Sequence, residues 1–79
     1  MTAYVYVSLK KSVLDPQGKT IQGALGKMGY KGVQDVRQGK YFELDLATAE
    51  ASEARALAAE VADKVLANPV IESYRIEVD

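Results

Sequence analysis

Ala3-Tyr4-Val5-Tyr6-Val7-Ser8-Leu9-Lys10 alternates without a break, with Val5, Val7 and Leu9 on one side of an extended chain and Tyr4, Tyr6, Ser8 and Lys10 on the other. Side chains of a strand alternate with period two, so this is a β-strand with one buried face and one aromatic, polar face. The chain then passes through Asp15-Pro16-Gln17-Gly18. Asp15 suits a helix N-cap and Pro16 the first helical position, and the spacing predicts a helix from Gln17 to Met28. Ile21, Ala24, Leu25 and Met28 give that helix an apolar stripe, and Gly29 ends it.

Outward from this unit, Val33 to Arg37 and Lys40 to Leu46 read as a hairpin turning at Gln38 and Gly39, with Phe42, Leu44 and Leu46 on its inner face. Val33 and Val36 are out of period with each other, which implies a bulge or an irregular edge strand. A second helix is predicted from about Ala49 to Leu66. Ala54, Leu57, Ala58, Val61 and Val65 form its stripe, Thr48, Glu50 and Glu53 suit its positive end, and Asn68-Pro69 stops it. A last strand, Val70 to Val78, places Val70, Tyr74, Ile76 and Val78 on one side with Glu72. The order βαββαβ, with right-handed crossovers, predicts an α+β, ferredoxin-like domain over residues 1–79. Its four-stranded antiparallel sheet has strand order 4-1-3-2, and both helices lie on one face.

Composition narrows the function. The 79 residues carry ten Lys plus Arg against eleven Asp plus Glu, and neither Cys nor His. No thiolate nucleophile, disulfide, thiol metal site or histidine base can be built from them. A formal charge of −1 gives no general attraction to nucleic acid or anionic membranes. No apolar run approaches the ~18 residues needed to span a bilayer, and the start lacks a signal-peptide pattern, so a cytoplasmic protein is expected. A chain this short buries only roughly 60% of its unfolded surface, which makes self-association the expected route to stability.

The open sheet face would present Tyr4, Tyr6, Ser8, Tyr41, Glu43 and Asp45. RNA-recognition modules stack bases on such a face, and Gly39-Lys40-Tyr41-Phe42 faintly resembles their third-strand motif, but Glu43 and Asp45 lie where a phosphate backbone would cross. Tyr4, Tyr6 and Tyr41 suit a protein contact better, and self-association through the sheet is expected there. Gly18-Lys19-Thr20 resembles the tail of a phosphate loop, but Val13 stands where that motif needs glycine and Pro16 removes a backbone N–H. Gly23 and Gly26 lie opposite the apolar stripe of the first helix, where close approach by a partner or plain tolerance would account for them.

The stretch Leu9-Lys10-Lys11-Ser12-Val13-Leu14-Asp15-Pro16-Gln17-Gly18 closely resembles the signature of the PurS family, the small subunit of phosphoribosylformylglycinamidine synthase. The resemblance continues through Val33-Gln34-Asp35-Val36-Arg37-Gln38-Gly39-Lys40 and Leu66-Ala67-Asn68-Pro69-Val70-Ile71-Glu72-Ser73-Tyr74. Thr20 and Met28 are mild departures outside these motifs. The resemblance implies a non-catalytic assembly subunit, a homodimer or homotetramer, that bridges a large synthetase subunit and a glutaminase subunit in purine biosynthesis. That ligase converts formylglycinamide ribonucleotide, glutamine and ATP into formylglycinamidine ribonucleotide, glutamate, ADP and phosphate. It implies no cofactor in this chain, with ATP and Mg on the large subunit, and no nucleic acid or membrane partner. The candidate interface residues are Tyr4, Tyr6, Lys10, Lys11, Asp15, Pro16, Gln17, Gly18, Tyr41, Asn68, Pro69 and Glu72. A small-molecule regulatory module of the ACT type is the alternative reading, followed by RNA binding.

Overall fold

The structure is a computed structural model describing residues 1–79. Its elements are β1 (Thr2–Leu9), α1 (Pro16–Lys27), β2 (Gly39–Asp45), α2 (Ala51–Val61), a π-helical turn (Ala62–Leu66) and β3 (Glu72–Val78). β1 is the central strand of an antiparallel sheet ordered β2-β1-β3. Val5 lies opposite Phe42 and Ile76, and Ala3 opposite Leu44 and Val78, so the alternation of β1 fixes the register of both neighbours.

The sheet has three strands, not the four expected. Residues 33–37 join no ladder, and two of their backbone groups are bonded elsewhere: Gln34 O accepts from Gln22 Nε2 at 2.6 Å, and Val36 N–H donates to Asp35 Oδ1 at 3.0 Å. The hairpin at Gln38 and Gly39 is therefore absent, and β2 becomes an edge strand. The adjacency of β3, β1 and β2 is as the sequence implied.

The core is built from Ala3, Val5 and Val7 of β1 against Ala58, Ala62 and Ala67, with Phe42, Leu44, Leu46, Leu66, Ile76 and Val78 packed around them. Alanines let α2 approach the sheet closely, and this corrects the expected stripe: Ala54, Ala58 and Ala62 face inward, whereas Leu57 and Val65 are 44% and 76% exposed. The π turn has a physical role here. Ala67 N–H bonds Ala62 O at 2.8 Å, a five-residue step that returns Ala67 to the buried side before Asn68-Pro69.

α1 does not share this core, contrary to the expectation of two helices packed on one face. Its boundaries nonetheless lie within one residue of those the sequence predicted, Pro16–Lys27 against Gln17 to Met28. Asp15 caps its start by accepting from Gly18 N–H at 3.0 Å. A Schellman turn closes its end, with Tyr30 N–H to Leu25 O at 3.0 Å, Gly29 N–H to Gly26 O at 3.1 Å, and Gly29 at φ 96°. The projecting helix makes the molecule elongated, 48 × 25 × 14 Å. Its radius of gyration is 15.8 Å, against about 12 Å for a compact chain of this length.

Candidate functional site

The three stretches quoted above, 9–18, 33–40 and 66–74, converge at one end of the sheet. Asp15 is the centre of that meeting, 4% exposed. One carboxylate oxygen caps α1, and the other accepts from the Gln38 backbone N–H at 2.7 Å. These donors favour the charged form. Gln38 first, then Gly18, with the Arg37 guanidinium nearby, hold the carboxyl below its ordinary value. Arg37 also ties the strand exit down, its Nη2 donating to Lys10 O and Val13 O at 2.9 Å each. Gly18 is required by this crossing, because a Cβ there would fall on the Val36 carbonyl.

The Asn68–Glu72 loop lies against the same end. Lys10 N–H bonds Ile71 O at 2.9 Å, and Glu72 N–H bonds Asn68 O at 2.7 Å. Asn68 N–H in turn donates to Glu72 Oε1 at 2.7 Å. Lys40 Nζ sits 3.4 Å from Glu72 Oε2 and closes the polar end of the inner sheet face. Leu9, Asp15, Gln17, Gln38, Lys40 and Glu72 line one shallow cleft there. Lys10, Lys11, Pro16, Gln17, Asn68 and Pro69 are exposed around it. The structure brings the 15–18 and 68–72 loops to the same end of the sheet, joined by Arg37, Gln38 and Lys40, which were not among the expected interface residues; Asp15 paired across to a second loop has no sequence signal.

Tyr4, Tyr6 and Tyr41 come together separately, on the outer sheet face. The Tyr4 and Tyr41 rings stack at 6.2 Å between centroids, and Tyr6 and Tyr41 lie 5.2 Å apart. Arg75, unrecognised in the sequence although the register sets it opposite Tyr6, places its guanidinium carbon 4.2 Å from the Tyr6 ring centroid. The Tyr41 hydroxyl donates to Glu43 Oε1 at 2.7 Å, and that bond pushes its pKa up to about 12. Negative charge on Asp79 raises Tyr4 as well.

A third surface is apolar. Leu14 and Met28 are each 69% exposed, and Ile21, Tyr30 and Val33 are exposed with them on and beside α1. No element of the chain covers this side. A Cβ added at Gly23 or Gly26 meets open space, so nothing within the protomer requires either glycine.

A family model described as "PurS: Phosphoribosylformylglycinamidine (FGAM) synthase" matches residues 2–79. The FGAM synthase subunit PurS of Bacillus subtilis is 55% identical over 75 residues, 95% of this chain and 88% of that protein. The crystal structure of Methanocaldococcus jannaschii PurS superposes with a TM-score of 0.89 at 37% identity, over 99% of this chain and 94% of that one. A chain of the structure of PurLQS from Thermotoga maritima superposes with a TM-score of 0.85 at 26% identity, over 96% of this chain and 94% of that one.

Proposed function

The chain belongs to the PurS family of FGAM synthase subunits, and from that premise we propose that it is the non-catalytic assembly subunit bridging a large synthetase subunit and a glutaminase subunit. The observation that carries this reading is the match along nearly the whole chain to a family with a member in the PurLQS assembly of T. maritima. The ligase makes formylglycinamidine ribonucleotide from formylglycinamide ribonucleotide, glutamine and ATP in purine biosynthesis, with ATP and Mg on the large subunit. The physical need for a bridging subunit is plain: ammonia released at one site must reach another before it is protonated, since ammonium has no lone pair with which to attack. Packing that excludes water between the sites serves that end.

The same reading includes a homo-oligomer, a dimer or tetramer, in which a second copy covers the apolar side of α1. A helix that buries its stripe neither in its own core nor against the sheet gains its stability from another surface. The end of the sheet around Asp15 then presents Lys10, Lys11, Gln17 and the Asn68–Glu72 loop to the larger subunits. The regulatory-module alternative has no support in these relatives, and the carboxylates beside Tyr4 and Tyr41 oppose RNA.

Reconstitution tests the function. Added to the two larger subunits, the chain should restore glutamine-dependent synthesis of formylglycinamidine ribonucleotide, while by itself it should hydrolyse neither glutamine nor ATP. Full activity of the larger subunits without it, or turnover by the chain alone, overturns the assignment.

A further inference from the structure

We propose that the outer sheet face around Tyr4, Tyr6 and Tyr41 docks an arginine-bearing segment of one of the larger subunits, and is not a contact between copies of this chain. The proposal rests on the assembly reading above and adds to it a surface and the chemistry of its occupant. The strand register sets out that face in rows. Thr2 lies opposite Asp45 and beside Asp79, Tyr4 between Glu43 and Glu77, Tyr6 between Tyr41 and Arg75, and Ser8 between Gly39 and Ser73. Three aromatic rings therefore form a platform whose β1 N-terminal end is flanked by four carboxylates, against the single guanidinium of Arg75. The core lies wholly on the opposite side of the sheet, so no element of the chain covers these rings.

The occupant follows from charge. Two copies meeting through this face would bring eight carboxylates together with two guanidinium groups, with Lys10 only beyond the far end of β1, and like charges set opposite one another are strongly disfavoured. A phosphate backbone is repelled by the same groups. The carboxylates are also spread along two strands and form no cluster that could hold a metal ion. A flat, delocalised cation suits both parts of the face. It stacks on an aromatic ring and forks onto a carboxylate, which arginine does better than lysine. The chain already contains one example of this pairing, since Arg75 lies over Tyr6 and its Nη1 is bonded to Glu77. The tyrosine hydroxyls donate to the carboxylates, Tyr41 to Glu43, Tyr4 to Asp79 and Tyr6 to Glu77, and so hold acceptors at the edge of the platform. Tyrosine and arginine are the side chains that dominate binding energy at protein interfaces.

The test compares the intact chain with the double variant Glu43→Gln, Glu77→Gln, measuring its affinity for the two larger subunits at low and at high salt, and its own oligomeric state by sedimentation. Both carboxylates are on exposed residues, and the pair Asp45→Asn, Asp79→Asn repeats the experiment at the other row should the first variant be unstable. The expected result is that intact-chain binding weakens with salt, that the variant binds at least about tenfold more weakly at low salt with a shallower salt dependence, and that self-association is unchanged. Binding with unchanged affinity and salt slope overturns the proposal, and so does loss of the homo-oligomer in the variant, which would assign the face to a second copy. Failure of the intact chain to bind the larger subunits would overturn the assembly reading itself, and the proposal with it.

Discussion

The backbone N–H of Gln38 donates to Asp15 across 23 residues of sequence, at 2.7 Å, while the other oxygen of the same carboxylate caps α1. One side chain therefore fixes both the start of the projecting helix and the path of the segment that enters β2. The Asp15→Ala variant loses a helix cap and leaves the partly buried Gln38 N–H without its acceptor. Its melting temperature is expected to fall by roughly 5–10 °C, more than an ordinary lost N-cap would cause. Differential scanning calorimetry checks this. If the Asp15 end is also a docking surface, reconstituted activity should fall further than the folded fraction does. Loss in strict proportion to unfolding would make the motif structural only.

The same carboxyl gives stability an acid limb. Its folded pKa lies below the ordinary aspartate value of 3.8, chiefly through the Gln38 N–H. A depressed carboxyl contributes stability that is complete above its unfolded pKa and is lost as pH falls through its folded pKa. The stability difference between the intact chain and Asp15→Asn should accordingly be constant from neutral pH down to about 5, then shrink toward pH 2. A difference independent of pH in urea melts across that range would assign the acid limb to other groups.

Glycines 18 and 23 should respond in opposite ways to alanine. Gly18→Ala drives a methyl group into the Val36 carbonyl and should displace the segment that leads to Gln38. Gly23→Ala meets open space in a helix interior and should stabilise the protomer by roughly 0.5–1 kcal/mol. If a second copy lies against Gly23, the gain in the monomer will be offset by weaker association, which sedimentation equilibrium would detect.

If a second copy covers the apolar side of α1, as proposed, Ile21→Lys with Met28→Lys should abolish self-association while leaving the sheet and α2 intact, because neither side chain belongs to the core. Circular dichroism monitors the fold and analytical ultracentrifugation the association. A variant that stays fully associated would place the contact between copies elsewhere.

On α2 the neighbours Leu57 and Ala58 should reverse the order expected from side-chain size. Ala58→Leu overpacks the seam against β1 and should cost about 1–3 kcal/mol. Leu57→Ala removes a half-exposed side chain and should cost less than about 1 kcal/mol. Urea denaturation at fixed protein concentration compares the two.

Local chemistry alone determined much of this protein. The alternation of Ala3 to Lys10 specified a half-buried strand, because a period of two admits one inner face. Asp15-Pro16 and Met28-Gly29 specified the ends of α1, because caps depend on backbone geometry within a single turn. The motif stretches placed the chain in its family. Tertiary structure decided the rest, where one sequence pattern has two physical outcomes. Residues 33–37 could pair as a strand or spend backbone groups on Gln22 and Asp35, and the second outcome removed the fourth strand. The stripe on α2 could face inward through Leu57 and Val65 or through alanines, and close approach to the sheet, continued by the π turn to Ala67, selected the alanines. The apolar face of α1 reads in sequence like any core-facing helix. Only the fold shows that no part of the chain reaches it, because hydrophobic periodicity states that a surface will be buried and not which molecule buries it.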